Sequence, residues 1–324
     1  MAEWLIEEGI GETRAIRLEA GEIVEARLAW PDELSAGAVV DAQLVSRRRG
    51  QTRGIADLGR GTRALVDRLP LQSTEGSAIR LEITRPALRE ASRGKLAKAR
   101  PTDAAPRPAP ALSSMLEDEG HTPRIVHRFP EGDWDALMGE AFSREIGFAG
   151  GSLLISPTPA MTLIDIDGDL DPRSLALAAC EPIATVLQRF DVGGSIGIDF
   201  PTLTEKAHRR QVDDRLAEAL AGWSHERTAM NGFGFVQLVS RFGRVSILHR
   251  AAFQPAATAA RLLLRRAETL HGSGIIELAG NPGLEAQLKP EWLAVLRRRT
   301  GCENRFRADS NLAVEAPHAQ LVAR

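Results

Sequence analysis

Five short strands follow one another closely between residues 37 and 100, and this segment constrains the fold more than any other part of the chain. They read AVVDAQLVSR, TRGIADLG, TRALVDRL, SAIRLEITRP and RGKLAKAR, and apolar and polar residues alternate along them. Glycines supply the turns between the strands: Gly50, Gly54, Gly59, Gly61 and Gly76. Short strands at regular spacing are typical of small barrels. The sequence therefore predicts an OB-type barrel over residues 35–100.

The same segment is the most basic part of the chain. Residues 35–100 carry 14 Lys or Arg and 6 Asp or Glu side chains, whereas the whole chain has a net charge of -2. Such a surface attracts the phosphates of nucleic acids through counterion release, although a solvated basic face without a partner has the same composition. The candidates for phosphate contact are Arg53, Lys95, Lys98, Arg100 and, further along the chain, Arg210.

The composition excludes several classes of protein. Apolar residues make up 43% of the chain and charged residues 26%, which is ordinary for a globular protein. Because no stretch of about 18 apolar residues occurs, we expect no membrane span, and the acidic N-terminus lacks the apolar region of a secretory signal. Two cysteines, Cys180 and Cys302, are too few for a four-thiolate zinc site. We therefore expect a cytoplasmic protein.

Composition and periodicity divide the chain into five regions. Residues 1–34 alternate as opening strands, residues 35–100 form the barrel, and residues 101–123 are rich in Pro, Ala and acidic residues, which predicts a linker. Residues 124–252 mix strands and amphipathic helices in an α/β core, and residues 253–324 form a small α+β domain. Within these regions we expect the segments RVSILHR, LAVEA and AQLVA to be strands.

Three aspartates end two apolar strands. Asp165 and Asp167 are two residues apart in TLIDIDGDLD and point to one face of a strand, and Asp199 ends the run GGSIGIDF. Asp165 also lies within the apolar run Met161–Ile166, where an unpaired charge is costly. If the two strands are neighbours, their carboxylates need a proton, a basic side chain or a divalent cation, and oxygen ligands favour Mg²⁺ or Mn²⁺. The alternative is that these aspartates only cap turns or helices.

Consecutive segments of the chain resemble the catalytic core of the ribonuclease E/G family. They are MTLIDIDG, LALAACEPIATVLQRFDVGGSIGIDF and TEKAHRRQVDDRLAEAL, and FGFVQLVSR resembles the strand that follows them in the family. The resemblance implies that Asp165 and Asp199 take the places of the family's two metal-binding aspartates. It also implies RNase-H-like opening strands, an inserted OB-type RNA-binding barrel, a DNase-I-like mixed α/β catalytic core and a small α/β C-terminal domain.

The chain also departs from the family pattern. Asp167 replaces an Asn, Gln237 replaces the usual Glu, and the region of the 5′-monophosphate sensor is reduced to the linker. The resemblance therefore implies no strong preference for 5′-monophosphorylated RNA. The zinc-link cysteines are absent, so neither zinc nor zinc-linked tetramers are expected, and a homodimer is left open. Ile55 and Leu65 stand where the family has aromatic residues, which leaves mostly electrostatic contact between barrel and RNA.

We interpret the sequence as a compact, Mg²⁺-dependent endoribonuclease that cleaves single-stranded RNA in RNA processing or decay. Asp165 and Asp199 would hold the metal that activates water, and Asp167 would orient that water or widen the metal site. One alternative is a catalytically decayed RNA-binding protein of the same family. A further alternative is a haloacid-dehalogenase-like phosphatase, because LIDIDGDLD is similar to the first motif of that superfamily.

Overall fold

The computed structural model describes most of the chain, namely residues 3–47, 50–59, 61–89, 94–158 and 160–323. Arg93, at the start of the predicted fifth barrel strand, lies outside the described residues. The strands, in chain order, are β1 (Glu3–Glu8), β2 (Thr13–Glu19), β3 (Glu22–Ala29), β4 (Val39–Arg47), β5 (Gly54–Asp57), β6 (Arg63–Val66), β7 (Ala78–Arg85), β8 (Ala97–Pro101), β9 (Arg124–Val126), β10 (Glu145–Phe148), β11 (Gly151–Pro157), β12 (Thr162–Gly168), β13 (Gly194–Asp199), β14 (His225–Arg227), β15 (Phe235–Ser240), β16 (Ile275–Gly280), β17 (Glu303–Ala308) and β18 (His318–Val322). The α-helices are α1 (Leu112–Asp118), α2 (Trp134–Ser143), α3 (Pro172–Arg189), α4 (Lys206–Ala219), α5 (Ile247–Phe253), α6 (Pro255–Ala267) and α7 (Pro290–Thr300), and a 3₁₀ helix spans Pro282–Gln287.

These elements build a mixed α/β protein with one closed barrel and three open sheets within the described ranges. The opening strands form a sheet of order β3-β2-β1-β9, in which β9 is parallel to β1. The central sheet has the order β10-β11-β12-β13-β15-β14, and the last sheet has the order β17-β16-β18. In the part of the chain that is described, no helix combines the length and the apolarity needed to cross a membrane.

The five strands of the basic segment close into a barrel in the order β4-β5-β6-β8-β7. Its interior is small and apolar, because Leu44, Ala56, Val66, Leu81 and Ala99 are each at most 1% exposed. The outward positions between them are polar or partly apolar, which follows from the period of two along each strand. The prediction of a small closed barrel in this segment is therefore confirmed.

The segment 101–123, predicted as a linker, differs from that expectation in its structure. Arg107 pairs with Val39 of the barrel through two backbone hydrogen bonds of 2.9 and 3.0 Å. Leu112 and Leu116 then lie one turn apart on α1 and are buried in a cluster with the opening sheet. The Pro-rich composition conceals this packing, since only two apolar side chains anchor the helix.

The central sheet is covered on one face by α3 and α4. Helix α3 begins after Asp171, whose carboxylate accepts a hydrogen bond from the backbone N–H of Ser174 at 3.2 Å, and Pro172 occupies its first position. Its apolar stripe, with Ala179 and Ile183 fully buried, packs on β11 and β12, and α4 packs against α3. This covering leaves the opposite face of the sheet available to solvent.

Two predicted strands are wrong. The segment RVSILHR forms the start of α5, because the hydroxyl of Ser246 accepts a hydrogen bond from the backbone N–H of His249 at 3.1 Å and caps a helix. LAVEA, residues 312–316, is not a strand. Its place in the last sheet is taken by β17, where Arg305 and Arg307 form ion pairs with Glu277 of the neighbouring strand. A charged strand of this kind has too weak an apolar alternation to be recognised from the sequence.

A buried ionic network joins the opening sheet to the small C-terminal region. Glu7 accepts hydrogen bonds from Arg14 at 2.6 Å and from Arg265 of α6 at 2.8 Å, and also from the backbone N–H of Phe129 at 3.1 Å. Arg14 is fully buried and donates as well to Glu12. Charges this deep are tolerated only when each is paired and hydrogen-bonded.

Candidate active site

The two strands that carry Asp165 and Asp199 are neighbours in the central sheet, and Asp199 ends β13 whereas Asp165 lies in the middle of β12. Strands β12 and β13 run parallel, and their register pairs Asp165 directly with Asp199. Adjacent strands lie about 4.8 Å apart, so the two carboxylates project from one face of the sheet within reach of a shared ion. The strand pairing extends in the same row to Leu154 of β11 and to Phe235 of β15.

Both carboxylates lie on the open face of the sheet. Ile164 and Ile166 alternate with Asp165 and point into the core beneath, and Ile198 does the same before Asp199. Asp165 is therefore exposed, so the desolvation cost expected for an unpaired charge within the apolar run Met161–Ile166 does not arise. Side chains alternate between the two faces of a strand, so Ile164 and Ile166 lie on the covered face of β12 and Asp165 lies on the open face.

No basic side chain among the described residues forms an ion pair with either carboxylate. An oxygen of Asp165 accepts only the backbone N–H of Ile166, at 3.1 Å. Asp167 lies two residues further along the same face and accepts the backbone N–H of Gly168 at 3.0 Å. In the ranges that are described, His, Cys, Asp and Glu side chains form no cluster of three or more that could hold a metal. The arrangement is thus a pair of adjacent, uncompensated carboxylates.

Aromatic residues beside the carboxylates were not among the sequence-predicted site residues. The register places Phe235 next to Asp199, and its ring extends across Gly197. A Cβ at Gly197 would lie 2.5 Å from Cζ of Phe235 and 2.9 Å from Leu163. The glycine thus allows the ring to lie close to the sheet. The alternation in GFGFVQLVS contains this signal, but only once the facing strand is known.

A tight turn holds the loop that follows Asp199, and its glycine is required. Gly234 has φ +90°, and a Cβ there would lie 2.3 Å from the carbonyl oxygen of Phe200. We expect Gly234→Ala to lower the free energy of unfolding by about 1–3 kcal/mol, as a strained backbone does. Gly232→Ala, in the same turn but facing open space, should change it by less than about 0.5 kcal/mol. Urea unfolding of both variants tests this, and equal losses would contradict it.

The basic candidates on the barrel differ in how far they are already paired. Arg53 forms an ion pair with Asp67 at 2.7 Å, and Arg100 forms one with Glu82, also at 2.7 Å. In both pairs the arginine is exposed, whereas its carboxylate partner is only partly exposed. An exposed pair is worth little, so a phosphate can displace its carboxylate.

Lys98 lies on the outward face of β8, and its register partner is Leu65 of β6. Leu65 in turn pairs with Ile55 of β5, so these two aliphatic side chains and Lys98 form one outward row. Lys95 is half-buried and its backbone pairs with Leu88.

Arg210 is exposed on α4, the helix that follows Asp199 along the chain. It therefore belongs to the central α/β region and is separate from the row on the barrel.

The structure thus defines a mixed α/β protein that carries a five-stranded barrel and an exposed carboxylate pair. Residues 117–241 match the model of the Ribonuclease E/G family, and this match includes both aspartates. This segment of the chain is therefore similar to the ribonuclease E/G family.

Curated relatives agree with this similarity. The chain is 30% identical to Ribonuclease G of Salmonella typhimurium (strain SL1344) over 182 residues, which are 52% of this chain and 34% of that protein. It is 31% identical to Ribonuclease G of Escherichia coli (strain K12) over 181 residues, again 52% and 34%. It is 36% identical to Ribonuclease E of the same strain over 119 residues, which are 34% of this chain and 11% of that protein. The chain therefore spans about a third or less of the length of these relatives.

Proposed function

We propose that the chain is a metal-dependent endoribonuclease that cleaves single-stranded RNA. One observation carries the proposal: Asp165 and Asp199 are paired in register on an open sheet face, and no basic side chain in the described part of the chain neutralises them. Like charges so close favour a bound cation. Similarity to this family supports RNA as the substrate. The motif LIDIDGDLD lies within the segment that matches the family, so the phosphatase alternative is not kept.

The donor set fits a hard divalent cation. Asp165 and Asp199 offer only carboxylate oxygens, which Mg²⁺ and Mn²⁺ prefer, and Mg²⁺ commonly binds through one or two carboxylates and otherwise keeps water. When bound, such an ion lowers the pKa of a coordinated water and stabilises negative charge on a phosphate oxygen. Asp167, on the same face, is placed to accept a hydrogen bond from that water. The sheet holds the carboxylates rigidly, because each lies within a paired strand.

The remaining regions receive the roles that the resemblance to the family implies. We assign the barrel to RNA binding as an OB-type domain, the central sheet with α3 and α4 to a DNase-I-like catalytic core, and the opening sheet to an RNase-H-like subdomain. The proposed phosphate contacts on the barrel side are Arg53, Lys98, Arg100 and Lys95, which lies just before β8. On α4 the proposed contact is Arg210. Phosphate contacts set the position of the strand and leave the cleavage site to other groups.

Lys98 provides a test of the barrel's role. We expect Lys98→Gln to weaken binding of single-stranded RNA and to reduce the slope of log affinity against log salt by about 0.7, as the loss of one phosphate contact does on a single strand. Fluorescence anisotropy from about 50 to 200 mM salt measures the slope. Arg80→Gln is the control, because Arg80 belongs to the barrel but is no proposed contact and is paired with Asp41. An unchanged slope in Lys98→Gln would contradict the assignment.

The proposed activity is tested by incubating 5′-labelled single-stranded RNA with the protein, with Mg²⁺ or with EDTA. Internal cuts that need the metal and both aspartates support it. Salt-sensitive binding without any cut would instead favour the decayed RNA-binding alternative, for which Gln237 in place of the family's Glu is the specific observation.

A further inference from the structure

An aromatic and aliphatic surface adjoins the carboxylate pair on the open face of the central sheet. Phe235 lies beside Asp199 in the strand register, and Leu154 lies beside Asp165 on the other side. The ring of Phe235 extends across Gly197, where the side chains of Leu163 and Met161 also approach to 2.9 Å from the position of a Cβ. The carboxylates are thus flanked by apolar side chains in the same row.

A second phenylalanine, Phe233, lies in the turn just before Phe235 and is exposed to solvent. Phe233 is 83% exposed, the largest exposed fraction among the large apolar side chains in the described ranges. Its backbone is fixed, because the side chain of Asn231 accepts the N–H groups of Phe233 at 2.8 Å and of Phe235 at 3.1 Å. The hydroxyl of Thr202, three residues after Asp199, donates to the carbonyl of Phe233 at 3.5 Å. The backbone of Phe233 is therefore held beside the loop that follows Asp199, and its exposed ring is carried by this fixed turn.

The charge of the surface decides which occupant it suits. A purely apolar protein segment covering this face would bury two uncompensated carboxylates, which is costly. A nucleotide offers an apolar base that can stack on the aromatic side chains, while its phosphate stays in solvent and the carboxylates remain hydrated. The barrel region, residues 35–101, contains no Phe, Trp or Tyr, so aromatic stacking of a base has to occur elsewhere on the chain.

We propose that Phe233 and Phe235 form a stacking subsite for one unpaired base of the RNA, next to the bond that is cleaved. The inference rests on the proposed function, since it takes RNA as the ligand of the same face. Base–aromatic stacking does not depend on the identity of the base. The subsite therefore selects unpaired RNA without selecting a sequence, because a base within a duplex cannot leave its own stack without cost.

The test removes the ring and the base separately. Binding of a labelled single-stranded RNA is measured by anisotropy in EDTA, together with a set of oligonucleotides that each lack one base. We expect Phe233→Ala to raise the Kd of the complete RNA about fivefold or more. For the oligonucleotide that lacks the stacked base, the same substitution should change the Kd less than about twofold. Phe233→Trp should retain the binding, and Phe235→Leu, which keeps an apolar side chain over Gly197, should lose part of it.

Ile125→Ala is the matched control, because Ile125 is 61% exposed but lies on β9 in the opening sheet. An unchanged Kd in Phe233→Ala, an equal loss with every oligonucleotide, or no RNA binding by the unaltered protein would overturn the subsite. A change from dimer to monomer in Phe233→Ala at constant RNA affinity would also overturn it, since the face would then join two copies of the chain. Cleavage with Mg²⁺ is assayed separately, so base-dependent binding without cleavage would refute the nuclease alone.

Discussion

Asp199→Asn lowers the rate of RNA cleavage by about a hundredfold or more and leaves the protein folded. The expectation follows from the register, which pairs Asp199 directly with Asp165 on the neighbouring strand, so that each would contact the proposed cation. Substitution of a residue that only orients a metal ligand typically lowers metal affinity or activity 10- to 100-fold. Removal of the charge of a ligand itself should therefore lower the cleavage rate at least as much. Single-turnover cleavage of a labelled RNA at saturating Mg²⁺ measures the effect.

The control for this prediction is Asp169→Asn. Asp169 is exposed in the same segment but lies beyond the end of β12 and has no partner on β13. It should retain the cleavage rate within about twofold. Without metal, Asp199→Asn should not lower the free energy of unfolding, because it removes repulsion between two adjacent carboxylates. Equal cleavage by Asp199→Asn and the unaltered protein would refute the assignment of this residue.

The second large effect concerns stability and arises far from the carboxylate pair. Glu7→Gln should lower the free energy of unfolding by about 3 kcal/mol, because it leaves the buried guanidinium groups of Arg14 and Arg265 short of one negative charge. Glu12 and Asp135 still pair with these arginines, which limits the loss. Glu3→Gln, which removes an exposed pair with Arg124, should lower the free energy of unfolding far less, because solvent screens an exposed ion pair. Urea unfolding at neutral pH compares them, and similar values would contradict the account.

The same network predicts a dependence on pH. Burial alone would raise the pKa of Glu7, but the hydrogen bond from Arg265 and the charges of Arg14 and Arg265 outweigh it and hold that pKa below its ordinary value. A carboxylate with a lowered pKa contributes its stabilisation above the unfolded-state pKa of roughly 4.3, and loses it as the pH falls through the folded-state pKa. The unaltered protein should therefore lose its advantage in free energy of unfolding over Glu7→Gln as the pH falls below about 4.

The pattern of apolar residues and glycines along the sequence was sufficient to predict the barrel and most strands of the central sheet. Alternation along β4 to β8 places Leu44, Ala56 and Leu81 inward without any knowledge of the partner strands, and glycines mark the turns. The apolar run before Asp199 likewise predicts the end of β13, whereas Asp165 lies in the middle of its strand because β12 continues to Gly168. The family resemblance rests on these same segments, and the match over 117–241 confirms it.

Features that depend on pairing between distant segments were not accessible from the sequence. The exposure of Asp165 depends on which face α3 covers, and the position of Phe235 depends on the antiparallel pairing of β15 with β13. Helix α1 was missed because Leu112 and Leu116 are its only buried anchors. The helix at RVSILHR was missed because one capping hydroxyl, that of Ser246, outweighs a strand-like pattern.

The central claim is that Asp165 and Asp199 together hold a metal that supports RNA cleavage. The most direct measurement compares the unaltered protein with the Asp165→Asn/Asp199→Asn double variant on one 5′-labelled single-stranded RNA, each with Mg²⁺ and with EDTA. The account predicts internal cuts only for the unaltered protein with Mg²⁺, and undiminished RNA binding by the double variant. Cuts of equal rate in the double variant, or cuts that persist in EDTA, would contradict it.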